Sequence, residues 1–406
     1  MKHLSASALF LMILLFSCKK DNDPTPPPPV GSMNINLLIA PATLNEEIII
    51  SESNGKVLLD TVARIKTSLV ATLRTNETLL DFTDIGYDTA GDRYIITTYK
   101  GVDPSRWVSM FRSAYGVPID DLPSRRAAMY YKNVPPVALD YLWLSDFISA
   151  GSDSWVTGPG TLSLKYTQHG SNNYLYTLFP RSGLYNFHIP AGLSDTVDLS
   201  HIDTAVMLNF NKASEYTMQP TYLFGFMDTT DFSKMVWLWS GQSTTAGLPD
   251  VEYPRKTVKK YELIASAMNN NHGYAQYYSY ADSVPSTLPF PDESYYNLSA
   301  SQYNNFNVSF HGTHPSYYST IWNQSNKINW RIYASPDSTS LNPQKLLSSL
   351  NSITLRGKDV SNLTLASFQF ENVKGMDYAG FFTYEHDPAQ VKSKRVLTAA
   401  SFSKTF

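Results

Sequence analysis

Glu47-Ile48-Ile49-Ile50-Ser51, then Glu52-Ser53-Asn54-Gly55, then Lys56-Val57-Leu58-Leu59, decides the fold class. Two apolar, β-rich runs meet across Asn-Gly, and both turn residues tolerate positive φ, so the stretch reads as a β-hairpin. Before it, Ile35, Leu37 and Ile39 alternate with their neighbours as one face of a strand. After it, residues 69–73 and 94–99 supply further strands, and no heptad or long stripe at helical spacing interrupts them. Residues 104–115 are the one stretch here with helix signals: Asp103 as cap, Pro104 in the first turn and Gly116 at the end. Trp107 to Phe111 fits a strand equally well, and pattern alone does not separate the two.

Further along, two strand series echo one another. Thr161-Leu162-Ser163-Leu164-Lys165-Tyr166, residues 173–176 and residues 184–189 form the first. Asn305-Phe306-Asn307-Val308-Ser309-Phe310, residues 317–320 and residues 328–333 form the second, at an offset near 145 residues. At the same offset residues 224–239 align with 370–384, and a third copy over residues 35–99 would set residues 94–99 against 378–384, about twice that offset away. The fold expected is all-β, as tandem immunoglobulin-like β-sandwich modules, each burying two apolar sheet faces against each other. The expected segments are 34–142, 143–295 and 296–406, preceded by 1–17 and 18–33.

The formal charge of −3 lacks the basic footprint that a nucleic-acid partner requires. Tyrosine, asparagine, serine and threonine are abundant, a mixture suited to strands and polar loops. Residues 1–17 have the form of a secretory signal: Lys2 near the start, then an apolar run from Ala8 to Phe16 too short to span a bilayer stably. Leu15-Phe16-Ser17-Cys18 resembles the lipobox of bacterial lipoproteins, in which cleavage precedes the cysteine and the thiol carries a diacylglycerol. Lys19-Lys20-Asp21-Asn22-Asp23 is similar to the charged tract that Bacteroidota-type lipoproteins use to reach the outer face of the outer membrane. The resemblance implies lipid attachment at Cys18 and an outer-membrane location, facing the surface or the periplasm. Two or more acyl chains anchor stably where one does not. The proline run at 24–29 then favours extended polyproline II and forms a stalk between membrane and folded chain. With the only cysteine lipidated, no intrachain disulfide or thiolate chemistry remains.

Familiar catalytic spacings are absent: no nucleophile elbow, zinc-protease helix, phosphate loop or calcium loop occurs. His311-Gly312-Thr313-His314 is the sharpest metal candidate, but without a third ligand nearby it reads as a surface loop, and no metal or other cofactor is expected. Glu385-His386-Asp387-Pro388 reads as a polar turn closing a strand. Asp120-Asp121 and Asp292-Glu293 are adjacent pairs that would point to opposite faces of a strand, so a carboxylate pair for glycan cleavage is not located. Aromatic residues carry the remaining functional signal, because a flat ring stacks on the apolar face of a sugar or fills a core. Trp237 and Trp239 alternate in an apolar run and are assigned to one core face. One member of Tyr277-Tyr278 and one of Tyr317-Tyr318 should face outward, making these four the candidate ligand residues. Phe406 is expected to pack into the last core. The function expected is binding or adhesion with carbohydrate as the favoured ligand. A protein partner in an outer-membrane assembly, or a glycan hydrolase with an unlocated acid pair, are the alternatives. If Cys18 carries the anchor, Cys18→Ala moves the protein from the membrane to the soluble fraction on cell fractionation. Retention of the variant in the membrane contradicts the anchor.

Overall fold

The computed structural model describes residues 31–406 apart from 41–44, 65–66, 105–108, 112–123, 137–142, 147–153, 170–173, 180–181, 230–234, 242–248, 270, 272, 313, 326 and 387–396. Cys18, the signal and the proline run lie outside the described residues, as do Asp120, Asp121 and Asp387. The described chain is mostly strand and the fold is all-β and sandwich-like.

The first strands are β1 (Ser32–Ala40), β2 (Glu46–Ser51), β3 (Val57–Ala63), β4 (Thr67–Arg74), β5 (Leu80–Asp88) and β6 (Arg93–Val102). The Asn-Gly hairpin joins β2 to β3: Gly55 has φ +92° and the Asn54 side chain accepts the Lys56 amide at 2.8 Å. A short β7 (Ser109–Phe111) lies parallel to β1, so the segment that also carried helix signals contains a strand.

Next come β8 (Ser124–Lys132), β9 (Trp143–Ser145), β10 (Ser154–Gly158), β11 (Thr161–His169), β12 (Leu175–Phe179), β13 (Leu184–His188) and β14 (Ser194–Asp198). β8 pairs with β11 and β14, and β12 with β9 and β13, around a core that includes Met129, Leu164 and Phe179. The expected cut between 142 and 143 therefore falls between β8 and its hydrogen-bonded partners.

β15 (Asp203–Leu208), β16 (Tyr216–Met218), β17 (Thr221–Phe226), β18 (Met235–Gly241), β19 (Val251–Pro254), β20 (Lys260–Asn269) and β21 (Gly273–Ala281) follow. The last group is β22 (Tyr296–Gln302), β23 (Asn305–Phe310), β24 (Tyr317–Gln324), β25 (Ile328–Ala334), β26 (Ser340–Leu341), α1 (Pro343–Ser349), β27 (Thr364–Val373), α2 (Tyr378–His386) and β28 (Thr398–Thr405).

One pairing scheme recurs three times. β2, β17 and β24 each pair with the next strand in sequence, β3, β18 and β25. On their other side they pair with β5, β20 and β27, which pair in turn with β6, β21 and β28. In each group a strand ahead of this block pairs antiparallel with a strand inside it: β1 with β4, β15 with β19, β23 with β26, while β16, between β15 and β17, pairs with β20. This recurrence does not follow the 145-residue echo. That echo aligns the strands β17 and β18 with β27 and α2, and α2 is helical because the Asp377 carboxylate caps it, accepting the Gly380 amide at 2.7 Å.

The three blocks are not separate sheets. They join in the order β18-β17-β20-β21-β28-β27-β24-β25-β6-β5-β2-β3. β21 meets β28 antiparallel, and β25 meets β6 in parallel, Trp330 opposite Ile96 and Tyr333 opposite Tyr99. Strands that would end isolated sheets thus satisfy their free backbone groups on one another. The carboxyl-terminal block lies in the middle.

Cores form on both faces of this sheet. Ile49, Ile85 and Ile96 share a cluster with Trp330 and Ile332, whereas Ile48, Ile50 and Phe82 pack with Ile35 and Leu73 on the opposite face. β2 is consequently buried on both sides, and each of its isoleucines contributes about 1.5–3 kcal/mol of burial. Phe406 corrects the sequence reading: its side chain is exposed, and Phe402 fills the core position on β28.

Glu47, also fully buried, ties β2 to the segment after α1. Its carboxylate accepts Ser352 Oγ at 2.6 Å and the amides of Ile353 and Thr354, each at 2.8 Å. Burial pushes this carboxyl up, but the hydrogen bonds from Ser352, Thr354 and Ile353 outweigh it and hold the pKa below the ordinary glutamate value. A folded pKa below the unfolded one means the contribution is complete above the unfolded value and is lost as pH falls through the folded one. Glu47→Ala strands three donors, so urea denaturation should show a loss of about 3 kcal/mol at neutral pH. The difference from wild type should shrink as pH drops below the ordinary glutamate range. An unchanged midpoint at neutral pH contradicts the tie.

Candidate functional site

Along β17, Leu223 points into the core and Tyr222 and Phe224 point out, by simple alternation. The same rule applied to β18 puts Trp237 and Trp239 on one face, and the structure corrects it. Leu223 pairs with Trp239 while Phe224 pairs with Trp237, which leaves Leu238 as an extra residue. A β-bulge of this kind reverses the facing of everything beyond it. Trp239 is buried, its Nε1 donating to the Asp250 carbonyl at 2.9 Å. Trp237 stays partly exposed with its ring 6.1 Å from Tyr222 and 5.7 Å from Phe224.

β20 and β21 continue the outward face. Tyr277 packs against the core, and Tyr278 occupies the opposite face, its hydroxyl donating to Glu262 Oε1 at 3.0 Å. Nearby, Tyr274 Oη donates to Ser266 Oγ at 2.8 Å and Gln276 Nε2 to the same oxygen at 3.3 Å. Register aligns Tyr222, Ile264, Tyr278 and Ala399 in one row across four strands. Tyr222 and Tyr278 therefore sit two strand spacings apart, about 10 Å. On this face Tyr222 and Tyr274 are exposed, Phe224, Trp237, Gln276 and Tyr278 are part-buried, and Glu262 and Ser266 are buried beneath the tyrosine hydroxyls.

Tyr317 and Tyr318 are not part of it. Both are buried. Tyr317 is on the outward side of β24, but α2 covers it: the Phe381 ring stacks at 3.8 Å and the Tyr317 hydroxyl donates to Glu371 Oε2 at 2.6 Å. Burial raises the Glu371 carboxyl despite that hydrogen bond. Tyr318 lies in the core with its hydroxyl on the Ser338 carbonyl, and burial raises its pKa. Strand parity detects which way a side chain points, not whether a helix packs over it.

The remaining sequence candidates have structural roles. His311 and His314 are exposed in a loop that turns at Gly312 (φ +74°), and no cluster of three or more metal-ligating side chains occurs among the described residues. His386 is not in a turn closing a strand. It ends α2, buried against Tyr99 (4.9 Å) and Phe382 (4.5 Å). Asp292 caps a single turn through the Ser294 amide at 2.8 Å, and Glu293 pairs with Lys404 at 2.9 Å. The open aromatic face was legible only in part. Tyr278 stood out as one of a tyrosine pair, whereas Tyr222, Phe224 and Tyr274 belong to it by register that no local pattern encodes. No protein-family model matches the chain, and no curated protein matches it significantly.

Proposed function

We propose that this protein is a lipid-anchored lipoprotein of the outer membrane, displayed at the cell surface, that binds carbohydrate on the open face of β17, β18, β20 and β21. The observation that carries the reading is the one face on which Tyr222, Phe224, Trp237, Tyr274 and Tyr278 surround Glu262, Ser266 and Gln276. Rings stack on the apolar faces of sugars, and the Tyr274 and Tyr278 hydroxyls, oriented by the buried Ser266 and Glu262, accept hydrogen bonds from sugar hydroxyls. The recurrent pairing scheme supports immunoglobulin-like blocks at 32–102, 203–281 and 296–405, with the strands of 124–198 joined to the second block through the pairing of β13 with β15. Sheet order supports display as well. The block that follows the stalk lies at one end and the aromatic face at the other, across about 50 Å at the usual strand spacing.

Affinity electrophoresis through a panel of polysaccharides should retard the wild-type protein in at least one of them. Each stacked ring contributes about 0.5–1.5 kcal/mol, so Tyr222→Ala combined with Tyr278→Ala should weaken binding about tenfold. Free migration in every polysaccharide contradicts carbohydrate binding, and equal retardation of the variant contradicts this face as the site.

A further inference from the structure

A groove of about 860 Å³ opens where the first and last strand blocks meet, far along the sheet from the aromatic face. The turn of the β2–β3 hairpin and residues 76–81 form one wall, and residues 335–349 form the other. Asp81 lies in its lining with almost no exposure, held by Lys100 Nζ at 2.5 Å and by the Gly101 amide at 2.9 Å. That charge is already balanced inside the protein, so an occupant need not neutralise it. Glu77, at the rim, is engaged by the amide and hydroxyl of Ser53 at 2.8 and 3.1 Å, and Asp337 by Ser335 Oγ at 3.2 Å.

Around these charges the walls carry the Ser338 and Ser340 hydroxyls, the Lys345 ammonium and the amides of Asn54, Asn76 and Asn342, whose oxygens already accept the Lys56, Gly31 and Lys345 backbone amides, and among the described residues no aromatic ring lines it. The volume suits a small ligand. Leu79, Leu341 and Leu346 add apolar surface among these groups, so a neutral sugar, which carries hydroxyls beside apolar C–H faces, meets partners of both kinds. We infer that the groove is a second ligand site, for a short uncharged saccharide held by hydrogen bonds and by its C–H faces on the leucines, bridging the joint between the two blocks. It is independent of the aromatic face, which lies in other strands.

The test uses the whole folded protein and a panel of neutral mono-, di- and trisaccharides at millimolar concentration, read by saturation-transfer NMR and by melting temperature. At least one sugar should give a transfer signal and raise the melting temperature, because a ligand that binds only the folded state stabilises it. The signal should persist in Tyr222→Ala/Tyr278→Ala. It should fall at least tenfold in Ser340→Trp, and likewise in Thr78→Trp on the opposite wall. Both positions are exposed, so a ring there fills the groove without entering a core. The absence of a signal for every sugar overturns the inference. So does a signal that survives both tryptophan variants, or one that disappears with the aromatic face.

Discussion

The parallel pairing of β6 with β25 is the constraint on which the rest of the architecture depends. It joins strands more than two hundred residues apart and places the carboxyl-terminal block between the other two. Several contacts hold the same joint. The Tyr99 and Tyr333 rings stack at 4.9 Å, Trp330 Nε1 donates to Thr98 Oγ1 at 3.0 Å, and Glu47 clamps the segment after α1. Of these, the Glu47 clamp carries the sharpest energetic asymmetry, since a buried donor without its acceptor costs more than the bond itself contributes.

Both sides of the sheet are covered at the joint. On one face the β1–β4 layer and α2 share a core with Ile48 and Ile50, and on the other Ile49, Ile85 and Ile96 share a core with Trp330 and Ile332. α2 fills part of the outer face beside the joint, burying Tyr317. The polar groove at the same joint is a product of the same geometry.

Local features were readable from sequence. The Asn-Gly hairpin appears where the residues place it, because its turn chemistry involves only neighbours. The strand character of β11, β23, β24 and β25 was readable from alternation. Three things were not. Edge-to-edge joining depends on pairing between distant strands, and alternation says nothing about a partner. The Leu238 bulge shifts facing by one residue, and nothing in Val236-Trp237-Leu238-Trp239 marks it. The 145-residue echo matched short alternating runs whose partners differ, and it placed a helix, capped by Asp377, where a strand was expected. Asp377 was a signal available in sequence, as an acidic residue just ahead of Tyr378-Ala379-Gly380.

Amide hydrogen exchange across β6 and β25 tests the continuous sheet most directly. The Tyr94 amide donates to the Lys327 carbonyl at 2.8 Å, and alternate amides after it on β6 face β25. In a continuous sheet these exchange as slowly as the amides of the interior strands β5 and β24, opening only in the larger unfolding events. Rapid exchange at those positions, with β5 and β24 still protected, would mean that the blocks meet as free edges and would contradict the account.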